Sequence, residues 1–169
     1  MAEKKKVGLI LSEARLKQRY PTASAASNII VPAADQLWLP SSILALNWQY
    51  GGGIPYGTIL EEFGEESTGK SLLAVNFGVV AQALGGIVLW SDAEAVFRQQ
   101  ARFYQKMGLN LDKVQLYPDE NIIEKISDWQ ADMIVTWRSK LKNNEPILLV
   151  TDSTAALETR DNMDAADSD

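Results

Sequence analysis

The chain has 169 residues, carries a net charge of −6, and contains neither cysteine nor histidine. Its length suits one domain with a real hydrophobic core. Without cysteine the chain has no disulfides, thiolate metal sites or cysteine nucleophiles, and without histidine it lacks imidazole bases and the commonest zinc ligand. Acid–base chemistry must therefore fall to carboxylates, lysine or tyrosine.

The charge and the hydropathy pattern also restrict the environment. The net negative charge argues against a general polyanion-binding surface, although it allows a local basic groove. No apolar run is long enough to cross a bilayer, and the basic start of the chain lacks the apolar core and cleavage site of a secretory signal. We therefore expect a cytoplasmic protein without a membrane partner.

The first part of the chain predicts short elements. Apolar spacing predicts a helix over residues 7–19, then a polar linker and a short strand at 29–31. A second helix is predicted over residues 43–48, capped by Ser41 or Ser42. The two tryptophans near this helix are better explained by packing than by base stacking, although stacking stays open.

Residues 64–71 read GEESTGKS and match the P-loop pattern G-x-x-x-x-G-K-[ST] without a gap. The apolar run 58–63 before the motif predicts a strand, and the pattern over 72–84 after it predicts a helix. This strand–loop–helix context is what the motif requires. The predicted phosphate-binding residues are Gly64, Glu65, Glu66, Ser67, Thr68, Gly69, Lys70 and Ser71.

The chemistry of this loop follows from its residue types. Successive backbone N–H groups in a tight, glycine-bearing loop form a concave anion site. The first turn of the following helix adds unpaired N–H groups and the positive end of its dipole. Lys70 is placed to reach the β- and γ-phosphates, and the Ser71 hydroxyl is placed to bind Mg²⁺. A glycine-rich turn that ends in Lys-Ser by chance would not explain why strand, spacing and helix agree.

Strands and helices alternate after the P-loop. Apolar runs predict strands at 87–90, 114–117 and 147–150. A helical pattern at 96–107 separates the first two strands, and an apolar stripe over 122–141 separates the last two. This order predicts an α/β fold with a mainly parallel sheet flanked by helices.

Two acidic groups follow strands of this sheet, and ligands of open parallel sheets bind at the carboxyl ends of the strands. Asp152 closes an apolar strand, where Mg²⁺ binding is favoured over a helix or turn cap. Glu94 follows another strand, and a carboxylate there can activate an attacking water. The residues alone do not separate that role of Glu94 from a solvated or capping carboxylate.

Five segments together resemble the RecA recombinase family, of a phage-like type. They are LPSSILAL at 39–46, GGGIPYGTILE at 51–61, the P-loop, LWSDAE at 89–94 and LLVTDSTAAL at 148–157. The resemblance covers roughly residues 39–157. The DAE element and the GGIPYG segment separate this family from other P-loop proteins. A relative of the replicative helicases is therefore the weaker hypothesis.

The resemblance implies roles for single residues. Lys70 and Ser71 would contact phosphate and Mg²⁺, Asp152 would be the acid of the metal site, and Glu94 would activate water. Phe103 or Tyr104 would stack on the adenine of ATP. The implied protein is a DNA-dependent ATPase that assembles as a filament on single-stranded DNA and promotes homologous pairing and strand exchange.

The resemblance also implies a division of the chain. Residues 1–33 would form an N-terminal helix and linker used in oligomerisation, 34–157 a partial ATPase core, and 158–169 an acidic, flexible tail. Family members continue after the Asp152 strand with DNA-binding loops and a strand that lies between the P-loop strand and the Asp152 strand. We therefore expect an incomplete core. An ATP-binding, non-catalytic regulator or loader of a full-length recombinase is the alternative function.

Overall fold

The computed structural model describes residues 36–118 and 120–159. The predicted helix at 7–19, the strand at 29–31 and all but the first two residues of the predicted tail at 158–169 lie outside these residues. Glu158, the first residue of that tail, forms a parallel bridge with Ile122. The domain boundaries near residues 33 and 157 stay predictions.

The described chain begins with a small antiparallel pair. Strand β1 (Trp38–Leu39) pairs with β2 (Ile54–Pro55), and helix α1 (Leu44–Gln49) lies between them in sequence. Gly53 has a φ of 134°, and a Cβ at this position would lie 2.3 Å from the carbonyl oxygen of Leu39. Only glycine allows this approach of the two strands. Strands of two residues are too short for a sequence pattern to predict.

The predicted serine cap of α1 is wrong. The N-cap is Ile43, and it makes no side-chain capping bond. Ser41 instead accepts the backbone N–H of Ile43 at 3.1 Å and bonds to Asn47. The backbone N–H of Ser42 donates to Oδ1 of Asn76 at 3.0 Å. The two serines therefore fix the loop before α1, the second of them to the helix that follows the P-loop.

The predicted parallel sheet is confirmed, with three strands in the described residues. Strand β3 (Ile87–Asp92) lies in the middle, between β4 (Val114–Pro118) and β5 (Ile147–Asp152). Every residue of β3 is buried, which explains why its sequence is an unbroken apolar run before Ser91. Asp92 pairs in register with Asp152, so the carboxyl ends of β3 and β5 are level.

Three helices flank this sheet: α2 (Lys70–Ala83), α3 (Phe97–Lys106) and α4 (Ile123–Arg138). Their bounds agree with the predicted helical patterns within a few residues. Helices α2 and α3 contribute to the larger core cluster, which contains Val75, Val88, Trp90, Phe97, Tyr104 and Leu109. None of the helices in residues 36–118 and 120–159 is both long and apolar enough to cross a membrane.

The predicted strand at residues 58–63 is not formed. These residues are irregular, and Ile59 and Phe63 are 98% and 89% exposed. A strand needs a neighbour that accepts its backbone hydrogen bonds. In the described part of the chain, neither residues 58–63 nor the outer edge of β5 has a partner strand. This is the position where the family resemblance places a strand from later in the sequence.

The tryptophans divide into two groups. Trp90 is completely buried, as predicted, and Trp129 and Trp137 are half-buried on α4. Trp48 is 89% exposed, so its predicted packing is wrong in the described residues, whereas Trp38 is 39% exposed and packs in part. Helix α1, which carries Trp48, has no buried residue.

Candidate functional site

The P-loop and the ends of two strands meet at one edge of the sheet. Ser71, the last residue of the P-loop motif, donates its hydroxyl to Oδ2 of Asp152 at 2.8 Å. Ser153 donates its hydroxyl to Oε1 of Glu94, and the peptide bond between Asp152 and Ser153 is cis. The structure therefore brings together the three groups that were predicted from separate segments.

The P-loop presents backbone N–H groups at the start of α2. Gly69 is the N-cap of this helix with a left-handed φ of 98°, and no side-chain cap bond is made there. The first N–H groups of a helix have no partner within the helix. Ser67 also has a positive φ, 61°, which turns the loop backbone sharply. This arrangement suits an anion such as a phosphate group.

Lys70 holds the P-loop together. Its ammonium group donates to the carbonyl oxygens of Gly64 at 3.0 Å and Glu65 at 2.8 Å. A cleft of ≈ 320 Å³ lies beside the loop, lined by Lys70, Thr68 and Tyr50 among others. Phosphate oxygens in the loop would compete with the two carbonyls for the same ammonium protons.

The loop that carries Glu94 is fixed from two sides. The carbonyl oxygen of Asp152 accepts the backbone N–H of Ala93 at 2.9 Å and that of Glu94 at 3.4 Å. Ala95 takes a left-handed φ of 57°, which is uncommon for a residue with a side chain. The carboxylate of Asp92 then caps the start of α3. The position of Glu94 therefore depends on the ends of both β3 and β5.

Asp92 is a structural anchor of this loop. It is 1% exposed, and its two carboxylate oxygens accept the N–H groups of Val96 at 3.0 Å and Phe97 at 2.9 Å. A carboxylate at the N-terminus of a helix satisfies unpaired N–H groups and interacts favourably with the dipole. The usual capping pattern in the sequence could not have identified this contact, because Asp92 lies four residues before the N-cap Val96.

Replacing Asp92 with alanine is expected to lower the free energy of unfolding by about 1–3 kcal/mol, because two backbone N–H groups lose their partners. Urea unfolding followed by circular dichroism measures this loss. The exposed Asp112→Ala is the control and should change stability by less than about 0.5 kcal/mol. Equal stability of the two variants would show that Asp92 is not the anchor of α3.

The electrostatics of the edge are dominated by carboxylates. Burial raises the pKa of Asp152, and the nearby charges of Glu94 and Asp92 raise it further. The hydrogen bond from Ser71 and the positive charge of Lys70 lower it in part. Burial also raises the pKa of Glu62, with a further contribution from Asp152. Sequence reasoning did not identify Glu62 as part of this edge. An excess of negative charge at one edge favours a bound cation.

The raised pKa of Asp152 predicts the effect of removing its charge. A carboxyl whose pKa is higher in the folded state stabilises the fold at low pH, and this stability is lost as the pH rises through the folded pKa. In EDTA at pH 7.5 we therefore expect Asp152→Asn to melt a few degrees higher than the wild type. The asparagine still accepts a hydrogen bond from Ser71.

Thermal melts at several pH values measure this effect. The difference in Tm between Asp152→Asn and the wild type should shrink as the pH falls through the raised pKa of Asp152, because the wild-type carboxyl becomes protonated. Asp112→Asn, at an exposed position outside the edge, controls for the loss of one negative charge. A variant that melts lower than the wild type at pH 7.5 would contradict the assigned burial effect.

The oxygen atoms at this edge suit Mg²⁺ bound together with a nucleotide. Within residues 36–118 and 120–159, no group of three or more His, Cys, Asp or Glu side chains is arranged to hold a metal ion. Mg²⁺ typically uses one or two protein oxygens and completes its shell with water and substrate phosphates. The hydroxyl of Ser71 and the carboxylate of Asp152 offer two such oxygens.

The two aromatic candidates for adenine stacking differ in exposure. The Tyr104 ring is 2% exposed and packs against Trp90 and Phe97 at centroid distances of 5.8 and 5.4 Å. It has no free face for a base, so its assignment as a stacking residue is wrong. Burial raises the pKa of Tyr104, and the charges of Asp152 and Asp92 raise it further, whereas a hydrogen bond with Ser71 lowers it. Phe103 is 47% exposed, and its stacking on adenine stays a prediction.

Comparisons with known proteins agree with the motifs. A family profile described as the RecA N-terminal domain matches residues 33–169. Protein RecA of Aquifex aeolicus is 28% identical over 165 residues, which cover 97% of this chain and 45% of the relative. Protein RecA of Petrotoga mobilis is 33% identical over 129 residues, covering 76% and 32% of the two chains. Protein RecA of Phytoplasma mali is 39% identical over 107 residues, covering 63% and 28%.

These matches also define how much of the family is present. The chain spans less than half of the length of these curated relatives. The family profile, in contrast, covers most of the chain, from residue 33 to residue 169. The chain therefore belongs to the RecA family and corresponds to its N-terminal portion.

Proposed function

We propose that this chain is the ATP-binding part of a RecA-type DNA recombinase. The observation that carries the proposal is the 2.8 Å contact between Ser71 and Asp152, which joins the P-loop to the end of β5. Glu94 lies at the same edge, bonded to Ser153 next to Asp152. A phosphate-binding loop, an acid for the metal and a second acid nearby are the parts that ATP hydrolysis requires.

In this proposal each residue has one task. The N–H groups of the P-loop and the ammonium of Lys70 bind the β- and γ-phosphates, with Lys70 leaving the carbonyls of Gly64 and Glu65. Ser71 and Asp152 would hold Mg²⁺, which would supply positive charge against the phosphates. Glu94 accepts a proton from a water whose oxygen attacks the γ-phosphorus, while the bond to the β-phosphate oxygen breaks. Phe103 offers an exposed ring to the adenine.

The recombinase part of the proposal rests on the family. Filament assembly through residues 1–33, binding of single-stranded DNA, and pairing of homologous strands follow the resemblance to RecA proteins. The phage-like type within the family is a prediction from the sequence alone. Because the chain spans less than half of its relatives, these activities are proposed for the RecA-type protein to which this segment corresponds.

A non-catalytic regulator or loader is the second candidate. The observation that favours it is the irregular segment 58–63, which leads directly into the P-loop without a neighbouring strand in the described residues. A P-loop without a supporting strand is less rigid, and hydrolysis depends on exact positions more than binding does. Such a chain would bind ATP but turn it over slowly.

ATP turnover by the 169-residue chain, with and without single-stranded DNA, separates the two candidates. As the ATP-binding part of a recombinase, the chain is predicted to hydrolyse ATP, and stimulation by single-stranded DNA would exclude the regulator candidate. The regulator candidate predicts ATP binding with little or no hydrolysis. An Asp152→Ala variant, measured in parallel, shows whether any hydrolysis belongs to this site. Stimulated turnover that survives in Asp152→Ala would come from a contaminating enzyme and would not support the proposal.

A further inference from the structure

We propose that Gln130 is a positioning residue of the nucleotide site, although it lies on the face of the sheet opposite to the P-loop helix α2. Its amide nitrogen lies 3.2 Å from Oγ of Ser91 on β3 and 3.3 Å from Oγ1 of Thr151 on β5. One side chain of α4 thus bridges the ends of the two strands that carry the acidic residues. This proposal rests on the proposed function for its effect on turnover, but its structural part can be tested separately.

The bridge lies across from the P-loop. Successive residues of a strand point to opposite faces of the sheet. Trp90 and Val150 pack in the core formed with α2 and α3, so their neighbours Ser91 and Thr151 face α4. Ser91 pairs directly with Thr151 in the strand register, which places both hydroxyls within reach of one amide group.

The two bridged residues immediately precede the functional ones. Ser91 is followed by Asp92, which anchors α3, and Thr151 is followed by Asp152. The carbonyl of Asp152 holds the loop of Glu94 through the N–H of Ala93 at 2.9 Å. Any change in the spacing between the ends of β3 and β5 therefore shifts Glu94 relative to Asp152. Gln130 fixes that spacing from the face that the nucleotide does not occupy.

The residue type supports a specific role for Gln130. The inner face of α4 otherwise carries apolar residues, including Ile126 and Met133, at helical spacing from Gln130. Gln130 is half-buried, and even partial burial of an amide in such a stripe is unfavourable unless the amide finds hydrogen-bond partners. A leucine would suit the stripe equally well in size. The glutamine, the serine and the threonine together form a small polar group inside an apolar interface, which favours one relative position of the strands.

Hydrogen exchange on the nucleotide-free chain tests the structural part. In Gln130→Leu, the amide of Ala93 should exchange about 10-fold faster, because its bond to Asp152 opens more often, while amides in the middle of β3 keep their rates. Thr136→Ala, at an exposed position on the same helix, is the matched control and should change neither. Unchanged exchange at Ala93 in Gln130→Leu would overturn the proposal.

A second variant covers the case that Gln130→Leu does not fold. The double change Ser91→Ala with Thr151→Val removes both hydroxyls and should accelerate exchange at Ala93 to a similar extent. Where all three variants can be made, adding Gln130→Leu to this double change should have no further effect, because the partners are already gone. An independent, additive increase would show that Gln130 acts through other contacts and would overturn the bridge.

ATP turnover tests the functional part. Gln130→Leu should keep the affinity for ATP within about twofold and lower kcat by about 10-fold, because misplacement of Glu94 affects the reaction more than binding. Normal kcat together with faster exchange at Ala93 would overturn the positioning role. If the wild type itself shows no turnover, the proposed function fails, while the exchange experiment still decides whether Gln130 sets the position of the Glu94 loop.

Discussion

Replacing Lys70 with alanine is expected to lower the rate of ATP hydrolysis by about 100-fold or more, with weaker ATP binding as well. The lysine is the cationic side chain that projects into the P-loop, where it now donates to the carbonyls of Gly64 and Glu65. Its loss removes a positive charge from the position where phosphate charge develops during the reaction. The fold should be retained, because Lys70 is at the first position of α2 and outside the core.

Steady-state phosphate release measures this effect, with ATP concentration varied to separate kcat from KM. Lys113→Ala is the matched control. Lys113 is an exposed lysine directly before β4, the strand at the other edge of the sheet from β5, and lies outside the P-loop. Its turnover should equal that of the wild type. If Lys70→Ala hydrolyses ATP at the wild-type rate, the P-loop is not the site of hydrolysis.

Replacing Glu94 with glutamine should separate binding from hydrolysis. The glutamine keeps the size of the side chain and still accepts the hydroxyl of Ser153, so the loop should keep its position. It cannot take a proton from water, and loss of a general base typically costs a factor of about 10²–10⁴ in rate. We therefore expect ATP affinity within about threefold of the wild type and a loss of kcat in that range.

Equilibrium binding of a fluorescent ATP analogue and single-turnover hydrolysis measure the two properties of Glu94→Gln. The control is Asp128→Asn, which removes one exposed carboxylate on α4 and should leave both properties unchanged. Loss of ATP binding in Glu94→Gln would indicate that Glu94 has a structural role through Ser153. Wild-type kcat would exclude Glu94 as the base.

The sequence predicted the parts of the fold that depend on local patterns. Helix α4 is long and carries an apolar stripe, α2 directly follows the P-loop motif, and β3 is a fully buried apolar run between glycines and acids. Their positions therefore follow from motif, composition and spacing. The meeting of Ser71 with Asp152 also follows, because the carboxyl ends of parallel strands share one edge.

Non-local effects explain the errors. Residues 58–63 have the composition of a strand, but a strand forms only where a neighbour accepts its hydrogen bonds, and none does in the described residues. Phe103 and Tyr104 are adjacent aromatic residues, and only the rotation of α3 decides that Tyr104 enters the core. The bridge made by Gln130 depends on the register of β3 against β5, which no local pattern encodes.

Calorimetric titration of the 169-residue chain with ATP tests whether GEESTGKS at residues 64–71 binds ATP with Mg²⁺ through Ser71 and Asp152. We expect one ATP to bind per chain, with weaker binding when Mg²⁺ is replaced by EDTA. We also expect that Asp152→Ala loses this dependence on Mg²⁺. Absence of ATP binding by the folded chain, or the same Mg²⁺ dependence in Asp152→Ala, would contradict this assignment of the site.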